Sequence, residues 1–370
     1  MMKDKFNLTR FRTRYFIRAS AIGLAVFFFI TIGFYWFSGW QTDQLIIERL
    51  ENQELSMARS AALSINQSLR ARRKELILLS ELEPIQANKE KEGMKILEIL
   101  AQELKEEGAQ VGNIIRVDKE GMTLWGINVE LERQDENAIG VNVGDQDCFL
   151  WAKEKGEKGE IFINEPIVAQ GGYLKGKRVV SMITPVYYQG KFDGIVSITF
   201  PIDELAKKYI EPISLSPQTY FTILSEEGVV ITSTFEELIG KNILQIQAEE
   251  NWPKASQLLV ERALQGEEGT SYHSYINLLT GKPSEAVSAY SPIRINGSFW
   301  SLWVSIPYER VKELVLPFKQ NQTFALVFVL GGSLALVLIY VLGIRVSQKN
   351  GFLDGYVRAE EESGGKKKKK

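Results

Sequence analysis

Residues 19–40 read ASAIGLAVFFFITIGFYWFSGW, and residues 323–344 read TFALVFVLGGSLALVLIYVLGI. Each run holds 22 residues and no charged side chain. At 1.5 Å per residue, either run crosses the roughly 30 Å hydrocarbon core of a bilayer as a helix. The rival reading of the first run is a cleaved signal peptide. It is longer than a usual h-region and no small-x-small cleavage site follows, so an uncleaved anchor is expected. Tyr35, Trp36 and Trp40 stand at its far end, where aromatic belts form. The rival reading of the second run is a buried core helix, but it carries no polar stripe. A chain with these two runs is expected to be a two-span protein of the cell membrane.

Charge is partitioned around the runs. Of the 44 bases, six lie in residues 1–18 and eight in 345–370, which leaves 30 between the runs. Of the 46 acids, one and four lie in those ends, which leaves 41. The positive-inside bias therefore places both termini in the cytoplasm and the central segment outside. An acidic centre without a basic stripe argues against nucleic acid as a partner. One histidine, His273, and one cysteine, Cys148, exclude a Cys/His zinc site and an intramolecular disulfide. No cofactor is implied. At about 150 residues per domain, 370 residues suggest two or three domains.

From residue 41 to about 82 there is neither proline nor glycine, and apolar residues recur at three- and four-residue steps. This predicts a long amphipathic helix beyond the first span, broad enough in its apolar stripe to make a homodimer plausible. Arg70, Arg72, Arg73 and Lys74 form a basic cluster on it. The bland reading is a solvated face and the sharp one an anion or partner site. A second helix is expected over about 89–107, stopped by Gly108.

After Gly108 the period changes to that of strands. A hairpin is expected at 111–129 around the turn DKEG, then a loop and short helix to 156. Strands follow at 160–168, 177–186 and 191–200. A connecting helix at 201–210 begins the pattern again. A hairpin over 220–232 turns on SEEG, helical stretches cover 236–247 and 253–265, and strands run over 270–276, 284–293 and 299–306. Pro307 is expected to open a last helix leading into the second run. The fold class is α+β: a long N-terminal helix, then two tandem modules with antiparallel sheets, between two spans. The domains are 1–18 (cytoplasmic arm), 19–40 (span), 41–82 (stalk), 83–200 (distal module), 201–318 (proximal module), 323–344 (span) and 345–370 (cytoplasmic tail).

ITPVYYQGKFDGIVSITF in the first module, with YFTILSEEGVVITSTFEELIGKNI and AVSAYSPIRINGSFWSLWVSIP in the second, resembles the double-Cache sensor domain of bacterial transmembrane receptors. The resemblance covers about residues 41–318. It implies tandem PAS-like modules, a small-molecule ligand in the membrane-distal one, and a proximal module that relays the change to the second span. It also implies a chemoreceptor, kinase or cyclase output. Members that bind amino acids carry an Arg, an aromatic pair, a Tyr and an Asp in the pocket. Here Gln146, Cys148 and Phe149 stand for the Arg and aromatic pair, Ile167 for the Tyr and Thr199 for the Asp. An ordinary amino acid is therefore disfavoured, and the ligand class stays open. The 26 residues after the second run leave no room for an output domain. The expectation is a truncated receptor or a separate cytoplasmic signalling partner.

Candidate ligand contacts are Trp125, Phe149, Trp151, Tyr173, Arg178, Ser181 and Thr199. Each aromatic has core packing as its alternative. Arg178, the one strand-borne cation of the set, has a surface charge as its alternative. Strand parity sets Arg178 and Ser181 on opposite faces. Trp300 and Trp303 in the second module read as core, and His273 as an ordinary strand residue. No phosphate loop, nucleophile elbow or base beside Cys148 appears, so no enzyme is expected. The N-x-S/T sites at Asn7, Asn66, Asn296 and Asn321 are at chance level. The runner-up function is a membrane-anchored scaffold that binds another protein. A closed polar cavity in the distal module would favour sensing, and a filled core would favour scaffolding.

Overall fold

The computed structural model describes residues 2–213, 219–277, 282–295 and 298–365. Asn296 and the Lys366–Lys370 run lie outside the described residues. Two compact units form, residues 1–46 with 312–370, and residues 47–311. Two long helices enter the first unit, α1 (Met2–Glu81) and α8 (Tyr308–Gly365). Both are long and apolar enough to cross a membrane. Their side chains Phe29, Trp36, Phe328 and Leu336 stand bare on the surface, as lipid-facing residues do. Lys319 Nζ donates to Asp43 Oδ2 at 2.9 Å, and the Tyr35 and Thr323 hydroxyls lie 2.9 Å apart. Pro307 ends a strand rather than opening α8; it still pairs with Ala286.

In the second unit, Glu81 ends the long helix and Pro84 sits in the first turn of the short α2 (Glu83–Gln86), where its missing N–H costs nothing. Next comes α3 (Glu90–Glu106), apolar on one face. The first sheet has seven strands: β1 (Asn113–Val117), β2 (Thr123–Asn128), β3 (Arg133–Gln134), β4 (Phe162–Ile163), β5 (Ile167–Val168), β6 (Arg178–Tyr188) and β7 (Lys191–Pro201). Their order is β3-β2-β1-β7-β6-β4, with β5 also beside β6. The single strand expected over 160–168 is broken in two. Pro166 cannot donate to the ladder, and Asn164 turns its side-chain oxygen to the Ser181 amide. Between β3 and β4 lies α4 (Asp147–Glu154).

After α5 (Ile202–Tyr209) the second sheet contains β8 (Tyr220–Leu224), β9 (Val230–Ser233), β10 (Gly269–Asn277), β11 (Lys282–Ile295) and β12 (Ser298–Pro307). Its order is β10-β11-β12-β8-β9, with α6 (Ile243–Glu249) and α7 (Lys254–Ala263) between β9 and β10. The echo in sequence is an echo in topology. In each sheet the first strand of a hairpin pairs with the last strand of the module, β1 with β7 and β8 with β12. Both hairpins turn the same way. Gly121 and Gly228 take φ of 91° and 85°, which suits glycine. Asp118 Oδ1 accepts from the Glu120 and Met122 amides, and Ser225 Oγ accepts from Val229.

Alternation along the strands sorts the side chains onto two faces. Ile114, Val180, Met182, Val196, Ile198 and Phe200 turn to a core shared with the α1 stripe Ala58, Ala62, Ile65, Leu69 and Leu76, and with Leu97 and Leu104 of α3. Strands of the second sheet enter the same core through Ile223, Ala289, Leu302 and Val304. The basic cluster divides. Arg72 is buried and reaches Glu75 at 3.1 Å and Glu107 at 2.8 Å. Arg70, Arg73 and Lys74 instead line, with Arg294, a cavity of about 490 Å³.

Candidate ligand-binding site

The opposite face of the first sheet carries a cavity. Its residues come in register across three strands. Asn113 of β1 pairs with Thr199 of β7, which pairs with Ser181 of β6. One step along, Ile115 pairs with Ser197 and Ser197 with Ile183. All six line a cavity of about 80 Å³. Gln146 and Cys148 close it from the start of α4, and Ile167, Gln170 and Leu174 from the strand and loop before β6.

Among the described residues, none that lines this cavity is Asp, Glu, Lys or Arg. The polar groups are amides and hydroxyls. Ser181 Oγ and Thr199 Oγ1 are 3.2 Å apart and share a hydrogen bond. Asn113 Oδ1 is buried and has no partner among the described residues, so it is free to accept from a guest. Burial raises the Cys148 thiol above its ordinary pKa, so the side chain is a neutral wall rather than a thiolate. Among the described residues, no cluster of His, Cys, Asp or Glu could hold a metal ion.

Two of the seven sequence candidates, Ser181 and Thr199, line the cavity. The other five lie elsewhere. Trp125 is 2% exposed and belongs to the core on the opposite face. The cause is a bulge. β1 pairs Val117 with Thr123 but Arg116 with Trp125, so the skipped residue flips the parity and sends Thr123 to the cavity instead. The indole packs on Gly93 and donates to Asn88 Oδ1 at 2.7 Å. Phe149 is buried beneath α4, edge-on to Phe192 at 6.0 Å. Trp151 lies against Phe162 at 5.2 Å. Tyr173 is 44% exposed beneath the Lys177 ammonium, 5.1 Å from the ring centre. Arg178 stands 3.7 Å from Asp203. Asn113, Thr123, Ser197 and Gln170 were missed. Their signal is the period-2 row of small polar residues on otherwise apolar strands. That signal becomes readable once the pairing of β1 with β7 is known.

Residues 38–315 match the family model of the Cache domain, in its double form. The chain is a member of the double-Cache family. Solved structures show the same fold. The periplasmic sensory domain of the Campylobacter jejuni chemoreceptor Tlp1 has 16% identity and a TM-score of 0.52, covering 71% of this chain and 96% of that one. The ligand-binding domain of the Pseudomonas aeruginosa amino acid chemoreceptor PctB, in complex with L-Arg, has 13% identity and a TM-score of 0.52, covering 71% and 97%. An extracellular ligand binding receptor from Desulfohalobium retbaense has 18% identity and a TM-score of 0.51, covering 68% of this chain but only 40% of its own length. No curated protein matches the chain in sequence. With the two apolar terminal helices, this membership fits a two-span membrane protein with a sensory Cache domain between the spans.

Proposed function

We propose that the chain is the sensor part of a transmembrane receptor and that its distal module binds a small, uncharged, polar molecule. The observation that carries this is the row Asn113, Thr199 and Ser181 on the wall of one cavity, with Asn113 Oδ1 buried and unpaired among the described residues. Burying a charged group here would leave it without a counter-ion, which argues against a zwitterionic amino acid. A cavity of roughly 150 Å³ takes benzene. About 80 Å³ therefore suits a smaller guest. Small amides and alcohols have that size and offer the donors that Asn113 requires.

Binding would pull β1, β6 and β7 together. The same strands press their other faces on α1 and α3, so the ligand biases the packing of α1, a helix that continues into the first apolar run. The ligand must bind one arrangement better than the other, since equal affinity shifts nothing. The flanking bases favour cytoplasmic termini, from which a separate signalling partner would take the output. Leu63 and Leu78 are exposed about four turns apart on α1, which supports a homodimer through that helix. The cavity favours this reading over a scaffold with a filled distal core.

The test is thermal unfolding of the full chain in detergent against small amides, alcohols, carboxylates, amines and purines. A ligand at 100 times its Kd stabilises by about 2.7 kcal/mol, several degrees for a domain of this size. A neutral hit whose shift is lost in Thr199→Val supports the proposal. A folded protein that no compound shifts turns it toward the scaffold.

A further inference from the structure

The second module has a cavity of its own, of about 110 Å³, larger than the distal one. Its wall is largely aromatic: Tyr220, Phe235, Trp252, His273, Tyr275 and Trp303. The rings hold one another in place. Tyr220 and Phe235 lie 4.7 Å apart, Trp252 and Tyr275 6.3 Å, and Trp303 stacks from outside on Tyr290 at 4.9 Å. Ser288 and Ser305, which also line it, satisfy each other at 2.7 Å.

Two wall residues each carry a group that is not satisfied. The indole N–H groups of Trp252 and Trp303 are both buried, and neither has an acceptor among the described residues. A single orphaned donor in a core is uncommon, and two around one cavity require an explanation. Core packing alone does not supply it. Trp300, three residues from Trp303 and so on the other face of β12, is buried in the shared core and is not among the buried unpaired groups of the described residues. Among the described residues, no Asp, Glu, Lys or Arg lines the cavity. His273 turns Nδ1 to the Ser271 carbonyl at 3.3 Å, and burial holds its pKa below the ordinary value, so it is neutral near pH 7. A cation would find aromatic faces here but no counter-charge, and it would oppose the two N–H dipoles. An anion would find donors but no cation. A flat neutral ring with acceptor atoms matches both the walls and the donors.

We propose that the proximal module is a second ligand site, which takes an uncharged five- or six-membered heteroaromatic ring and holds its acceptors with the indole N–H groups of Trp252 and Trp303. The proposal is independent of what the distal cavity binds.

The test uses the full chain labelled with 5-fluorotryptophan in nanodiscs, with fluorine NMR read during titration. Pyrimidine, which carries two ring acceptors, is the probe; benzene, of the same shape without them, is its control. The resonances of Trp252 and Trp303, assigned from Trp252→Phe and Trp303→Phe, should move saturably with pyrimidine, and Trp125 should not. Pyrimidine should bind about 100-fold tighter than benzene, about tenfold for each of its two hydrogen bonds. Trp303→Phe and Trp252→Phe should each cut that preference about tenfold, read as the pyrimidine-to-benzene ratio within each variant. Ser288→Leu, which fills the cavity, should remove binding of both rings, and Thr199→Val in the distal module should change neither. Equal affinity for the two rings, or no saturable movement of the two resonances, would overturn the proposal.

Discussion

Ser181 Oγ and Thr199 Oγ1 face each other at 3.2 Å from paired positions of β6 and β7, on the wall of the distal cavity. Two neighbouring strands thus present one shared hydroxyl pair, with Asn113 of a third strand beside it. A guest that bonds to this pair ties β7 to its neighbours. Thr199→Val keeps the shape and removes the hydroxyl. It should weaken a bound ligand about tenfold and, by leaving the Ser181 hydroxyl without its partner, lower the stability of the free protein by about 1 kcal/mol. Calorimetric titration of the two proteins with the same ligand measures this. Equal affinities would remove Thr199 from the site.

Gly93 is a helix glycine with a specific reason. A Cβ built there would stand 2.5 Å from Cη2 of Trp125. Replacing an exposed helix glycine by alanine usually stabilises by about 1 kcal/mol. Gly93→Ala should do the reverse, because the indole is locked by its bond to Asn88 and has no room to retreat. Urea unfolding gives the sign directly, and a stabilised variant would show that Trp125 repacks freely.

Arg116 is fully buried on β1. It donates to Asp193 Oδ2 at 2.7 Å, to the Ile85 carbonyl at 3.0 Å and to the Val117 carbonyl. Desolvation lowers the guanidinium pKa, and Asp193 opposes that effect. Asp193→Ala leaves a buried cation unpaired and should cost about 3–5 kcal/mol. Arg116→Met, which removes the charge with its partner's need, should cost less in the background of Asp193→Ala than alone. A double-mutant cycle in urea reads the coupling, and additive losses would show no pairing.

Glu54 on α1 lies beyond the first apolar run. It is fully buried, and neither carboxylate oxygen has a partner among the described residues. Desolvation raises its pKa from 4.5 to about 7. The folded state thus keeps a proton that the unfolded chain releases near pH 4.5. The associated stability is full below pH 4.5, declines as pH rises toward 7, and is gone above it. The drop is on the order of 3 kcal/mol. Glu54→Gln should flatten this slope and be the more stable protein at pH 8. Melting temperature across pH 4–8 decides it: parallel profiles for the two proteins would mean that Glu54 is solvated.

Most of the architecture is written in local signals. Uncharged runs mark the spans, the absence of Pro and Gly marks α1, and acidic-Gly turns mark both hairpins. The site is less legible because it depends on non-local pairing. Ser181 and Thr199 were readable as small polar residues on late strands. Asn113 and Ser197 join them only through the β1–β7 register, which no local pattern reveals. Trp125 reads as a pocket aromatic until the bulge at Arg116/Val117 turns it to the other face. Phe149 and Trp151 sit on a helix of eight residues of which Cys148 alone, among the described residues, lines the cavity; the two aromatics pack on Phe192 and Phe162 instead. Aromatic residues at such positions fill whichever face the sheet twist offers, and the sequence does not encode that choice locally.

The central claim is that the distal cavity is the sensory site for a small neutral molecule. The most direct measurement is calorimetric titration of the best neutral amide or alcohol from the thermal screen into the full chain and into Ser197→Leu. Ser197 is buried in the middle of that cavity wall, so leucine there fills the space. The account predicts saturable binding of one molecule per chain in the parent protein and none in Ser197→Leu, with an unchanged circular dichroism spectrum as proof of folding. Equal affinity of the two proteins for the hit would contradict it.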